Sequence, residues 1–214
     1  MIIGGPALTK YNDRALRNLT TAPASATSSP GALVHIKTLT ASSSATLSFV
    51  DGASSVVLDS TYPIYKFEFI NMHPATDDAT LQFNLSVDTG SNYNVTKTTS
   101  AFGAANSESG GTPNLNYDTG LDLAQSTNFQ GLNLGSSDND HAISGTLQLF
   151  NPSSTTFVKH FIAISDTTNY DNRNLVKYIA GYGNTTSAVD AIQFKFSSGN
   201  VDSGTIKLYG VKDA

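Results

Sequence analysis

Apolar residues recur at every second position along most of this chain. In 81–87, Leu81, Phe83, Leu85 and Val87 point one way and Gln82, Asn84 and Ser86 the other. The same beat puts Tyr65, Phe67 and Phe69 on one face of 64–71. A period of two belongs to a strand, because successive side chains leave opposite faces of a pleated sheet. Further strand signals fall at 33–39, 45–50, 143–150, 156–164, 174–183, 191–196 and 205–211. The chain is therefore expected to be all-β: an antiparallel β-sandwich, jelly-roll-like, with about eight to ten strands around one apolar layer. The strands at 33–39 and 45–50 read as a first pair. Gly199-Asn200 reads as the turn joining the last two strands, with Gly52 after Asp51 serving a similar turn. The polar face of 81–87 is expected to meet water.

Two regions break the pattern. Residues 1–32 carry a possible capped helical turn from Asn12 or Asp13 through Leu19, then TTAPASATSSPG, an extended linker by composition. This predicts an N-terminal arm at 1–32 and a sandwich domain at 33–214. Between Asp88 and His141 the chain is rich in Gly, Ser and Asn, with only small apolar clusters. One or two short strands and exposed loops are expected there, and variable contacts are to be sought there first.

The chain has no cysteine, so disulfides, zinc-thiolate sites and thiol catalysis are excluded together. A net charge of −5 with scattered basic residues argues against a nucleic-acid partner. No apolar stretch approaches the ~18–20 residues of a membrane span, and MIIGGPALTKYNDR does not read as a secretory signal. Ser and Thr make up roughly a quarter of the chain, as in many extracellular and virion β-proteins.

Catalytic constellations are hard to assemble. Glu68 and Glu108 are the only glutamates, and neither a G-x-S-x-G elbow, an H-E-x-x-H pair nor a P-loop occurs. His160 alternates with Val158, Ile162 and Ile164 and reads as a core or interface histidine; His73, before Pro74, reads as solvated. Asp138, Asp140 and His141 in SSDNDH could hold Ca²⁺, but no Glu closes an EF-hand loop, and a self-bonded polar turn accounts for them. Tyr170, Tyr178, Tyr182 and Tyr209 read as strand filling, with sugar stacking or protein contact as the other use of an exposed tyrosine. No enzyme, metal or cofactor is expected.

YPIYKFEFINMHPATDDATLQFNLSVDTGSNYN, ISGTLQLFNPSS and AVDAIQFKFSSGNVDSGTIKLYGVK together resemble tailed-bacteriophage virion structural proteins. The shared pattern is an aromatic strand, a P-A-T-D turn, an alternating strand, a D-x-G-S-x-Y loop, a strand ending in Asn-Pro and a final hairpin. Asp78 stands where that family usually has Gly. The resemblance spans roughly 62–212 and carries no catalytic residue. It implies a virion component, assembled in the host cytoplasm, with other virion proteins as partners. The expected role is a tail fibre or fibre-like protein anchored by its arm and facing a host glycan or receptor. The alternatives are a capsid decoration protein on the head and, less favoured, a carbohydrate-binding or carbohydrate-active jelly-roll protein. The arm-plus-sandwich layout suggests a homotrimer. Lys10, Tyr11, Arg14 and Arg17 form the one basic and aromatic cluster outside the core and are the expected contacts to a neighbouring virion protein.

Overall fold

A computed structural model describes residues 33–111 and 113–212. The expected arm and its Lys10, Tyr11, Arg14 and Arg17 cluster lie outside the described residues. Twelve strands form among those described, and no helix: β1 (Leu33–Thr40), β2 (Leu47–Val50), β3 (Ile64–Pro74), β4 (Ala79–Ser86), β5 (Lys97–Ser107), β6 (Asn114–Tyr117), β7 (Gln130–Gly135), β8 (Ile143–Phe150), β9 (Lys159–Thr168), β10 (Arg173–Gly183), β11 (Ala191–Phe196) and β12 (Val201–Val211). All pairings are antiparallel. One sheet runs β1-β12-β3-β8-β9-β10-β5-β6 and the other β2-β11-β4-β7.

This order is a jelly roll with two insertions. Setting aside β5, β6, β9 and β10, the remaining eight strands form β1-β12-β3-β8 facing β2-β11-β4-β7. The chain then changes sheet at every step except β4 to β7, the wrapping that defines the roll. The insertions β5–β6 and β9–β10 both add to the β8 edge of the larger sheet, extending it by four strands.

Two sequence expectations change here. The first two strands do not pair: β1 lies on β12 and β2 on β11. The last two form no hairpin either, because β11 and β12 belong to opposite sheets. Alternation reveals that a segment is a strand but not which sheet it joins. Gly199 (φ 67°) and Gly52 (φ 75°) do take the left-handed backbone expected of them, while Asn200 does not.

The core sits between the sheets of the roll. Phe194 of β11 is its hub, with ring centroids 5.3 to 6.3 Å from Phe49, Phe67, Phe69 and Phe83. Tyr65, Phe67 and Phe69 are buried together, as their alternation predicted. The opposite face of β4 departs from its pattern: Asn84 and Ser86 are fully buried. The Asn84 amide donates to the carbonyls of Tyr93 (2.7 Å) and Thr127 (2.9 Å), so returning loops cover a face that the sequence suggested was wet. The 88–141 region holds three strands, including the eleven-residue β5. The inward positions of β5 are Lys97, Thr99, Ala101, Gly103 and Ala105, too small or too polar to register as an apolar beat.

Candidate functional site

The four added strands have two unlike faces. The inner face packs against β7 and a returning loop. Asn133 donates to the carbonyl of Leu175 (3.0 Å), and the Ser165 hydroxyl to the carbonyl of Leu132 (3.0 Å). Lys177 pairs with Asp118, and the backbone N–H of Leu123 donates to the Thr99 hydroxyl (2.9 Å). Ile179, Phe161, Ala163 and Ala101 are buried there.

The outer face has no second layer among the described residues. Strand register fixes its rows. Ile164 lies opposite Tyr178, Tyr178 opposite Phe102, and Phe102 opposite Tyr117, so one row crosses β9, β10, β5 and β6. These side chains are 40 to 52% exposed. Phe102 and Tyr178 stack with centroids 5.1 Å apart and planes 5° from parallel. Cross-strand aromatic pairs of this kind stabilise a sheet modestly. Leu115 on β6, opposite Ala104, is 75% exposed. β6 itself is an edge strand, exposed along its whole length.

The neighbouring rows make a trough. Ala180 lies between Ile162 and Ser100, and the next row is His160, Tyr182 and Thr98. Tyr178 and Tyr182 are four residues apart on β10, about 13 Å along the strand, with only the methyl of Ala180 between them on this face. Over Ala180, Phe150, His160, Ile162 and Tyr182 line a depression of about 540 Å³, with Thr98 and Ser100 at one side. The imidazole of His160 tilts toward Tyr182 at 5.9 Å. Beyond Thr98, its hydroxyl accepts from Gln125 Nε2 (2.7 Å), and Gln125 Oε1 accepts from Asn184 Nδ2 (2.9 Å). Both amides are on the surface.

No family model matches this chain, and no curated protein does. Among solved structures it is similar to a structural-genomics crystal structure of unknown function from Bacteroides ovatus. That likeness has 6% identity and a TM-score of 0.27, covering 59% of this chain and 56% of that one. The match thus spans just over half of that protein, and nothing about fold or role passes from it to this chain.

His160 is exposed on the outer face beside Ile162 and Ile164 and is not in the core; the apolar layer it alternates with faces solvent. Tyr178 and Tyr170 are likewise exposed and do not fill the sandwich. His73 lies in β3 and is not freely solvated: Nε2 donates to the Asp138 carbonyl (3.1 Å), and Nδ1 is buried without a hydrogen-bond partner. His141 is buried, with Nδ1 3.6 Å from Asp138 and Nε2 3.9 Å from Asp140. Among the described residues no three such side chains converge as a metal centre.

Two buried lysines escaped the sequence reading. Lys97 and Lys159 lie on either side of Gly183, facing inward, and both are fully buried. Lys97 Nζ donates to Asn84 Oδ1 (2.5 Å) and the Val95 carbonyl (2.8 Å). Lys159 Nζ donates to the carbonyls of Phe157 (2.7 Å) and Thr185 (3.1 Å). Burial disfavours the ammonium form, pushing Lys97 down to about 7 and lowering Lys159 as well. The signal was present in the register: Lys97 alternates with Thr99 and Ala101, and Lys159 with Phe161 and Ala163.

Proposed function

We propose that this chain is a non-enzymatic structural component of a tailed-bacteriophage virion, a tail fibre or fibre-like surface protein that meets the host through the outer face of β9, β10, β5 and β6. The carrying observation is the row Ile164, Tyr178, Phe102 and Tyr117, which holds large apolar side chains in water on a sheet whose other face is already packed. A contiguous exposed patch of that kind marks an interaction surface. The jelly-roll order supports the reading, since this architecture serves viral capsid and lectin domains. So does the wording of the strands between 62 and 212. Fold assigns no role by itself, so the weight rests on the face.

In this reading the chain assembles in the host cytoplasm, joins other virion proteins and forms a homotrimer. The edge strand β6 leaves backbone donors and acceptors for a second copy to meet. Immunogold electron microscopy on intact particles, with an antibody to the sandwich, tests the placement. Gold at the tail is the expected result. Gold spread over the head would replace the fibre reading with a capsid decoration protein. Particles free of gold, with the epitope shown accessible, would overturn the virion reading. Light scattering at high concentration tests assembly, with a trimer mass expected and a monodisperse monomer overturning it.

A further inference from the structure

We infer that the trough over Ala180 is a binding site for a neutral oligosaccharide, with one sugar ring lying on the methyl of Ala180 against the ring of Tyr182. The inference deepens the host-contact reading and rests on it for its biological setting. Three features of the geometry carry it.

First, the shape is a shallow trough on a rigid sheet. Ala180, a single small residue between Ile162 and Ser100, forms the floor, and the next row of His160, Tyr182 and Thr98 rises beside it, leaving room for a flat ring over the methyl. Second, the surfaces are of the right kind. A sugar presents an apolar C–H face and a rim of hydroxyls, and an exposed tyrosine offers an apolar ring with a polar tip to match. Third, apart from the His160 imidazole, the polar side chains at the trough are hydroxyls and amides. Thr98 and Ser100 bring hydroxyls to the lining, and the amides of Gln125 and Asn184 continue from Thr98 in a hydrogen-bonded chain outside it. No carboxylate, ammonium or guanidinium lines the trough, which disfavours an ionic ligand. Few polar groups around an apolar floor is the usual composition of a small-ligand site.

The test is saturation-transfer NMR on the full chain with gluco-, galacto- and mannohexaose, and with an oligogalacturonate as charged control. Transfer to at least one neutral hexaose is expected, with little to the uronate. Tyr182→Ala should weaken binding at least tenfold. Ala180→Leu, which fills the trough from an exposed position without touching the core, should do the same while leaving the thermal melt unchanged. No transfer to any of the three neutral sugars, a preference for the uronate, or unchanged binding in a folded Ala180→Leu protein would each overturn the site. Sugar binding without gold on particles would sink the virion reading and leave the site. Gold at the tail without sugar binding would do the reverse.

Discussion

The eight strands of the roll and the four that extend it carry large apolar side chains alike, yet they serve different ends. In the roll, strands that are neighbours in sequence change sheets, and their inner faces meet around Phe194. In the extension, β9–β10 and β5–β6 pair as local hairpins. The extension's inner face is sealed largely by a loop and β7, and its outer face carries Phe102, Tyr178 and Ile164 into solvent. The same residue types therefore stabilise the fold in one region and form a surface in the other. What separates them is whether a second layer lies opposite.

The sharpest way to break this contrast is to truncate an aromatic in each region. Phe194→Ala removes the hub of the core and should cost about 3–5 kcal/mol in urea unfolding, with an unchanged slope. A loss below about 1 kcal/mol would mean the sheets are not packed through that ring.

Next comes the buried amine. Lys97→Met should stabilise the protein most below about pH 7, where the full cost of desolvating the ammonium is lifted, less about 1–3 kcal/mol for the Val95 carbonyl that loses its donor. The folded state holds this proton less tightly than the unfolded chain, with about 7 standing against an ordinary 10.5. Unfolding therefore takes up a proton between those values, and native stability rises with pH across that window. The penalty is complete below about 7 and gone above about 10.5. Lys159 acts in the same direction. The Met variant should show a flatter rise, and an identical pH profile would count against the desolvated amine.

A smaller effect is expected at Gly181. Its inward face meets Thr98 and Thr99 on the adjacent strand, so a methyl there collides with the Thr98 carbonyl and the Thr99 side chain. Gly181→Ala should cost about 1–3 kcal/mol by displacing β10 from β5. Amide exchange should quicken in β5 and β10 before it does in β3 and β12. Smallest of all, Tyr178→Ala on the outer face should shift stability by less than about 1 kcal/mol, since its ring packs mainly on Phe102.

The same contrast explains what could be read from the sequence. Tyr65, Phe67 and Phe69 announced a buried face because large apolar residues alternate with polar ones, and the all-β sandwich followed from such segments. Their partners could not be read, because β1 meets β12 across some 160 residues and nothing local encodes that pairing. β5 was lost to its small inward residues, Ala101 and Gly103. His160 does share its face with Ile162 and Ile164, but it and Tyr178 both lie on the exposed side, because the alternation of a strand does not say which of its faces is covered. The trough was invisible for the same reason. It depends on Ala180, Ser100 and Tyr182 being brought side by side from β10 and β5, strands more than 60 residues apart in the chain.

The most direct test of the account is to measure stability and host binding on one variant of the outer face. Tyr178→Ala combined with Tyr182→Ala leaves every core contact of Phe194 in place. The purified, labelled protein is applied to the bacterium that propagates the particles, and its urea midpoint is recorded alongside. The account predicts at least a tenfold loss of cell binding with a midpoint close to that of the parent protein. Full cell binding by the folded variant would contradict it, and would remove the outer face from the protein's role.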